Sequence, residues 1–175
     1  DAHTEVFSWE DTYLTGTSFH DASGRAYKTL KYVYHQAGAA RGKPAETTMT
    51  DHSTGKTRTS RYSYAFHGNG TVARTVLTEL LNGREVSSTA DFDTQGNLVS
   101  TVNALGHTVK MWEFTGLGMP GKIADANGAI TSYTYNLDGT LATVTDVRNG
   151  ISEISYDAGR GVASVSMPDG NVVRY

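Results

Sequence analysis

At 175 residues the chain has room for one ordinary domain or for a short piece of a repeat array. Ten tyrosines and nineteen glycines, with no long run of helix-forming residues, tilt it toward strands and tight turns, and the absence of cysteine excludes disulfides and thiolate chemistry. A net charge of −3 without a dense basic face argues against a nucleic-acid partner, and no apolar run approaches the roughly 18 residues of a membrane helix.

Residues 1–30 read as an irregular lead-in, a degenerate repeat in which Phe19, His20, Asp21 and Gly24 echo a phrase found later and residues 1–16 do not align with it. The array proper is assigned to residues 31–175. Tyr32, Tyr34 and Gly38 open a copy of 32 residues, and Tyr64, Phe66, Gly70 and Val72 open one of 26. The extra length is assigned to polar loops at Ala39–Lys43 and Thr50–Gly55, where loop growth costs little entropy. The basic residues Arg41, Lys43, Lys56, Arg58 and Arg61, diluted by Glu46 and Asp51, read as solvated loop charge. Val76–Leu81 fits a short helical face, but its β-branched residues and the Asn82-Gly83 pair favour a hairpin turning at 82–83.

From Ala90 onward the copies tighten. Ala90, Phe92, Gly96, Leu98, Asn103 and Gly106 make one copy 22 residues ahead of Trp112. Trp112, Phe114, Gly118, Ile123, Asp125 and Gly128 make the next, and Tyr133, Tyr135, Gly139, Leu141, Val144, Asp146 and Gly150 the clearest. Ile154, Tyr156, Val162, Val165 and Gly170 follow, and Tyr175 opens a further copy, so the chain is expected to be a piece of a longer array. A fixed step of 21 residues decides the architecture before any single residue does. Alternation over Ala129–Tyr135 and Thr140–Thr145 predicts two strands of roughly seven residues, joined by a turn at Asp138-Gly139 and followed by turns at Gly150 and Gly170. One copy is thus one hairpin, and the fold class is all-β, a curved antiparallel sheet of consecutive hairpins. Residues at matching places are expected to build two ladders: Phe92, Phe114, Tyr135 and Tyr156, with Ala90, Trp112, Tyr133 and Ile154 beside them.

The phrase resembles the YD repeat of the RHS family, in which tyrosine-aspartate is followed by two residues, then glycine-arginine-leucine, a valine and a second glycine turn. Tyr156-Asp157 carries the dipeptide, with Arg160 where the family has glycine; Phe92-Asp93 and Tyr135-Asn136 keep the spacing with one exchange each. The resemblance covers residues 60–175 well and 17–59 weakly. It implies a β-shell wound from hairpins, of the kind found in bacterial RHS proteins, toxin-complex subunits and teneurins. The implied role is a non-catalytic scaffold that encloses or presents a C-terminal toxin or effector. Its implied partners are the rest of the parent chain and that cargo, and its implied place is secreted or at the cell surface, exported by a bacterial secretion system.

Site chemistry is sparse. The six histidines show no ligand spacing, and no metal or cofactor is expected. Asp125 and Asp146 recur at equivalent places, which suggests a glycosidase-like pair, but carboxylates before a glycine turn are better explained as acceptors that set the bend. A carbohydrate- or surface-binding module is the alternative function, with Trp9, outside the repeat, as its stacking candidate. Exposed strand edges are expected to let the isolated chain self-associate.

Overall fold

The computed structural model describes residues 3–81 and 83–175, and every regular element in it is a strand. The chain divides into two units, residues 1–96 and 97–175. The first unit holds β1 (Thr4–Glu10), β2 (Tyr13–His20), β3 (Ala26–Tyr34), β4 (Pro44–Asp51), β5 (Lys56–Phe66), β6 (Val72–Leu81) and β7 (Arg84–Phe92). The second holds β8 (Leu98–Val102), β9 (Thr108–Phe114), β10 (Pro120–Ala124), β11 (Ile130–Tyr135), β12 (Leu141–Thr145), β13 (Ile151–Tyr156), β14 (Val162–Ser166) and β15 (Val172–Arg174). Within each unit the strands lie in chain order, each antiparallel to the next. The fold is all-β, built from consecutive hairpins as the 21-residue step requires.

Neither unit shows a buried hydrophobic core among its described residues. Among the described residues no hydrophobic side chain is buried, and Thr17, at 6% exposure, is the one buried polar residue. The two faces differ nonetheless. In the first unit the register places Thr17, Leu30 and Met49 in one row across β2, β3 and β4, with Tyr62 and Leu77 paired on the same face of β5 and β6. The opposite face carries hydroxyl rungs: Thr48 with Thr59, Thr50 with Thr57 and Thr78 with Ser87. Thr134–Thr143 and Ser155–Ser164, each at 2.7 Å, continue the same device in the second unit. Cross-strand hydroxyl pairs of this kind favour one register at a few tenths of a kcal/mol to about 1 kcal/mol each.

Strand length separates the loose copies from the tight ones. β5, β6 and β7 run 11, 10 and 9 residues, whereas β10, β12 and β14 run 5. Much of the added length in the early copies therefore lies in ladders. Thr50 belongs to β4, paired with Thr57, because threonine fits a pleated surface; only residues 52–55 connect β4 to β5. β6 and β7 pair as far as Leu81↔Arg84, so Val76–Leu81 is strand and the connection is two residues long. Gly83 there has φ 78°, and Asn82 lies outside the described residues. From β10 to β14 the strands are five or six residues, shorter than the expected seven, because each turn takes up five residues.

Candidate functional site

Among the described residues nine turns share one hydrogen-bond pattern. The first residue donates its N–H to the carbonyl of the fifth, and the fourth donates its N–H back to the carbonyl of the first, as in Asp125–Ala129 and Asn136–Thr140. The fourth residue is left-handed in all nine, and glycine stands there in seven, including Gly106, Gly118, Gly128, Gly139 and Gly170; Gly96 has the same conformation. Asn149 and Arg160, both at φ 65°, occupy it in the other two. Gly150 falls one place later and is required by space: a Cβ there would lie 2.9 Å from the Asp146 carboxylate and 3.0 Å from Pro168.

Each of these turns also has one side-chain acceptor. Asp125 and Asp146 each take two backbone N–H groups on Oδ1, from the third and fifth residues of their own turns. Asp21, Asn103, Asp157 and the Thr115 hydroxyl do the same. In the remaining three the acceptor is the third residue, Asn69, Asp138 or Asp169. These groups are occupied in shaping the chain. The Ser53 hydroxyl and the backbone N–H groups of Thr54 and Ser53 hold the Asp51 carboxyl down at about 2, and hydrogen bonds led by Thr140 and Ser23 lower Asp138 and Asp21.

The ladder residues fall on alternate strands. Phe92, Phe114, Tyr135 and Tyr156 each end a strand, and across the turn Phe114, Tyr135 and Tyr156 pair with Pro120, Leu141 and Val162. Successive rings in the second unit are thus two strands apart, about 10 Å, with an aliphatic residue between them. The Tyr135 hydroxyl reaches the Pro120 carbonyl and that of Tyr156 the Leu141 carbonyl, both at 2.9 Å. Burial, followed by the neighbouring Tyr133, raises the Tyr135 phenol. Ala90 sits in β7 opposite Thr75, and Ile154 in β13 opposite Val165.

Trp112 and Tyr133 align in the repeat but occupy opposite faces. Trp112 pairs with Lys122, which pairs with Ser132, the residue before Tyr133; Tyr133 itself pairs with Val144. The cause is the 22-residue copy: β9 has seven residues where β11 has six, and Glu113 is left-handed at φ 57°. Gly121 faces it, and a Cβ there would meet the Glu113 carbonyl at 2.7 Å. The added residue stands opposite Gly121 with no shift of the β9–β10 register, whereas the β11–β12 register shifts between Thr134 and Tyr135.

Of the basic cluster, Lys56, Arg58 and Arg61 lie on β5, and Arg58 and Arg61 are ion-paired, while Arg41 and Lys43 lie in the β3–β4 connection. Arg58 forks onto Glu79, Arg61 reaches both Glu46 and Glu85, and Arg74 pairs with Asp91, which raises its already high pKa. His20 and His52 face the hydroxyls of Ser18 and Thr29, His35 and His67 place Nε2 on the carbonyls of Tyr62 and Phe92, and His3 packs edge-on against Tyr27. Among the described residues no three metal-ligating side chains gather.

One cavity, about 320 Å³, lies where the β1–β2 turn meets the β3–β4 connection, residues 35–43. Glu10, Asp11 and Tyr13 line it from the β1–β2 side, and Tyr34, His35, Gln36 and Arg41 from the β3–β4 side. Tyr13 and Tyr34 are tilted rings with centroids 5.0 Å apart, and the Tyr34 hydroxyl donates to the Leu14 carbonyl. Gly42, left-handed at φ 79°, makes room: its Cβ would lie 2.9 Å from the Tyr13 hydroxyl. Trp9 is not among the lining residues. It pairs with Leu14, one step from the Glu10–Tyr13 pair and so on the other face, and is 62% exposed. Periodicity could not have joined Tyr13 to Tyr34, since Tyr13 stands outside the aligned copies; the glycine-containing insertion after Tyr34 was the available signal.

The sequence matches no known family profile and no curated protein. Among solved structures, the chain is similar to the toxin assembly TcdB2-TccC3, with a TM-score of 0.49, 14% identity, and coverage of 97% of this chain and 12% of the other. The Tc holotoxin pore of Photorhabdus luminescens overlaps it at a TM-score of 0.49 and 13% identity, over 98% of this chain and 11% of that one. A porin-like protein from Bacteroides uniformis overlaps at 0.41 and 13%, over 99% and 70%. This chain therefore spans about an eighth of the toxin chains it overlaps, 12% and 11%.

Proposed function

We propose that this chain is a non-catalytic structural stretch of an RHS/YD-repeat protein, part of a β-wall that encloses or presents a toxin or effector segment. The observation that supports this most is the absence of a buried hydrophobic side chain among the described residues of sheets built hairpin by hairpin. A sheet normally buries one face against a second layer, so a single-layered one is complete only when something covers it. The remaining copies of a longer wall and an enclosed segment are the partners of that kind. Export to the outside or the surface of a bacterial cell belongs to the same reading. The turn aspartates fit it too, because Asp125 and Asp146 each commit Oδ1 to two backbone N–H groups of their own turns.

Enclosure is tested in the parent protein by proteolysis. A segment held inside the wall should survive a trypsin concentration that degrades the same segment expressed alone. Equal rates of digestion would contradict the proposal. The Asp125→Ala, Asp146→Ala pair should lower stability and change no catalytic rate; a hydrolytic activity lost in that double variant would favour an enzyme instead.

A further inference from the structure

The cavity between the β1–β2 turn and the 35–43 connection lies where the chain departs from the five-residue turn. We infer that it is a binding site for a neutral, hydroxyl-rich ring of pyranose size, stacked on Tyr13 and bridged between the carboxylates of Glu10 and Asp11 and the donors of Gln36 and Arg41. At about 320 Å³ it falls at the small end of ligand sites.

The lining chemistry selects the ligand. Two carboxylates beside a single guanidinium disfavour phosphate groups, and a largely polar wall disfavours an apolar guest. A sugar hydroxyl is both donor and acceptor, so it can satisfy acidic and basic sides at once. Tyr13 is 41% exposed and offers a ring face for the apolar C–H side of a pyranose.

The site is also largely pre-formed. Tyr34 is held by its hydroxyl on the Leu14 carbonyl, and His35 by Nε2 on the Tyr62 carbonyl. The Gln36 amide nitrogen donates one N–H to the Tyr34 carbonyl, which fixes the side chain and leaves its second N–H as a donor. Gly42 keeps Tyr13 seated, since any side chain there would push on its hydroxyl. Groups fixed in this way lose little freedom on binding. The inference is independent of the wall reading, which does not require a ligand here.

Amide chemical shifts of the ¹⁵N-labelled chain, titrated with the methyl pyranosides of glucose, galactose, mannose and N-acetylglucosamine, test it. At least one should give saturable shifts centred on Asp11, Gln36 and Arg41, with a Kd on the order of millimolar. Tyr13→Ala and Arg41→Ala should each weaken that binding about tenfold, while Tyr13→Phe, which keeps the ring, and Trp9→Ala, on the other face, should leave it unchanged. The inference is overturned by no saturable shift with any of the four up to roughly 50 mM. It is equally overturned by shifts that survive Tyr13→Ala, or that inorganic phosphate reproduces at the same residues.

Discussion

The side chains that define this molecule are turn residues. Position four of each five-residue turn is left-handed, where a Cβ costs roughly 1–2 kcal/mol and glycine costs nothing. Arg160 is there at φ 65°, and its ion pair with Asp138, 3.7 Å long with Arg160 71% exposed, returns little. Arg160→Gly should therefore stabilise the second unit by about 0.5–1 kcal/mol, seen as a higher urea midpoint with an unchanged slope. Gly139→Ala should act in reverse and by more, since its Cβ would also lie 3.3 Å from Leu117. Asp51 carries a pH prediction. Its pKa is depressed from 3.8 to about 2, so its contribution is present above its unfolded-state value and is lost as pH falls from about 4 toward 2. In Asp51→Asn the β4–β5 turn should lose that part of its acid sensitivity, measured by amide exchange at Ser53 and Thr54.

At the scale of the element, the 21-residue step made the hairpins legible: two strands and two turns per copy follow from alternation and from the Asp-Gly and Asn-Gly pairs. The extra residue of the 22-residue copy was countable but not locatable, because alternation survives on both sides of it. The left-handed Glu113 marks its place, and the register shows Trp112 carried to the face of Lys122 and Ser132. Gly121→Ala should cost about 1–3 kcal/mol, as its Cβ meets a backbone carbonyl that cannot turn away, whereas Glu113→Gly should be stabilising. Thermal unfolding of the two single variants checks both signs. The cavity was illegible for a different reason. Residues 13, 34 and 41 come together through strand pairing and one folded-back loop, and neither leaves a periodic trace.

At the scale of the whole molecule, stability comes from neighbours. Each hairpin is marginal alone and gains from the next, as expected of a repeat protein in which contacts run between adjacent copies. Val6, Phe7 and Trp9 on β1 are 46%, 52% and 62% exposed, on a strand paired on one side only among the described residues. The isolated chain should therefore associate as its concentration rises, and a sedimentation coefficient constant from micromolar to hundreds of micromolar would count against this.

Each copy adds one hairpin to an antiparallel sheet whose strands lie in chain order. Because the chain has no cysteine, spin labels can be placed at will. Leu105, Arg148 and Pro168 lie in turns at one end of the strands of the second unit, with Leu105 80% exposed. Labels at 105 and 148 should be separated by about four strand spacings, roughly 19 Å, and labels at 105 and 168 by about six, roughly 29 Å. A double electron–electron resonance distance that grows in this way is the predicted result. A 105–168 distance equal to or shorter than 105–148, as in a sheet folded back on itself, would contradict the account.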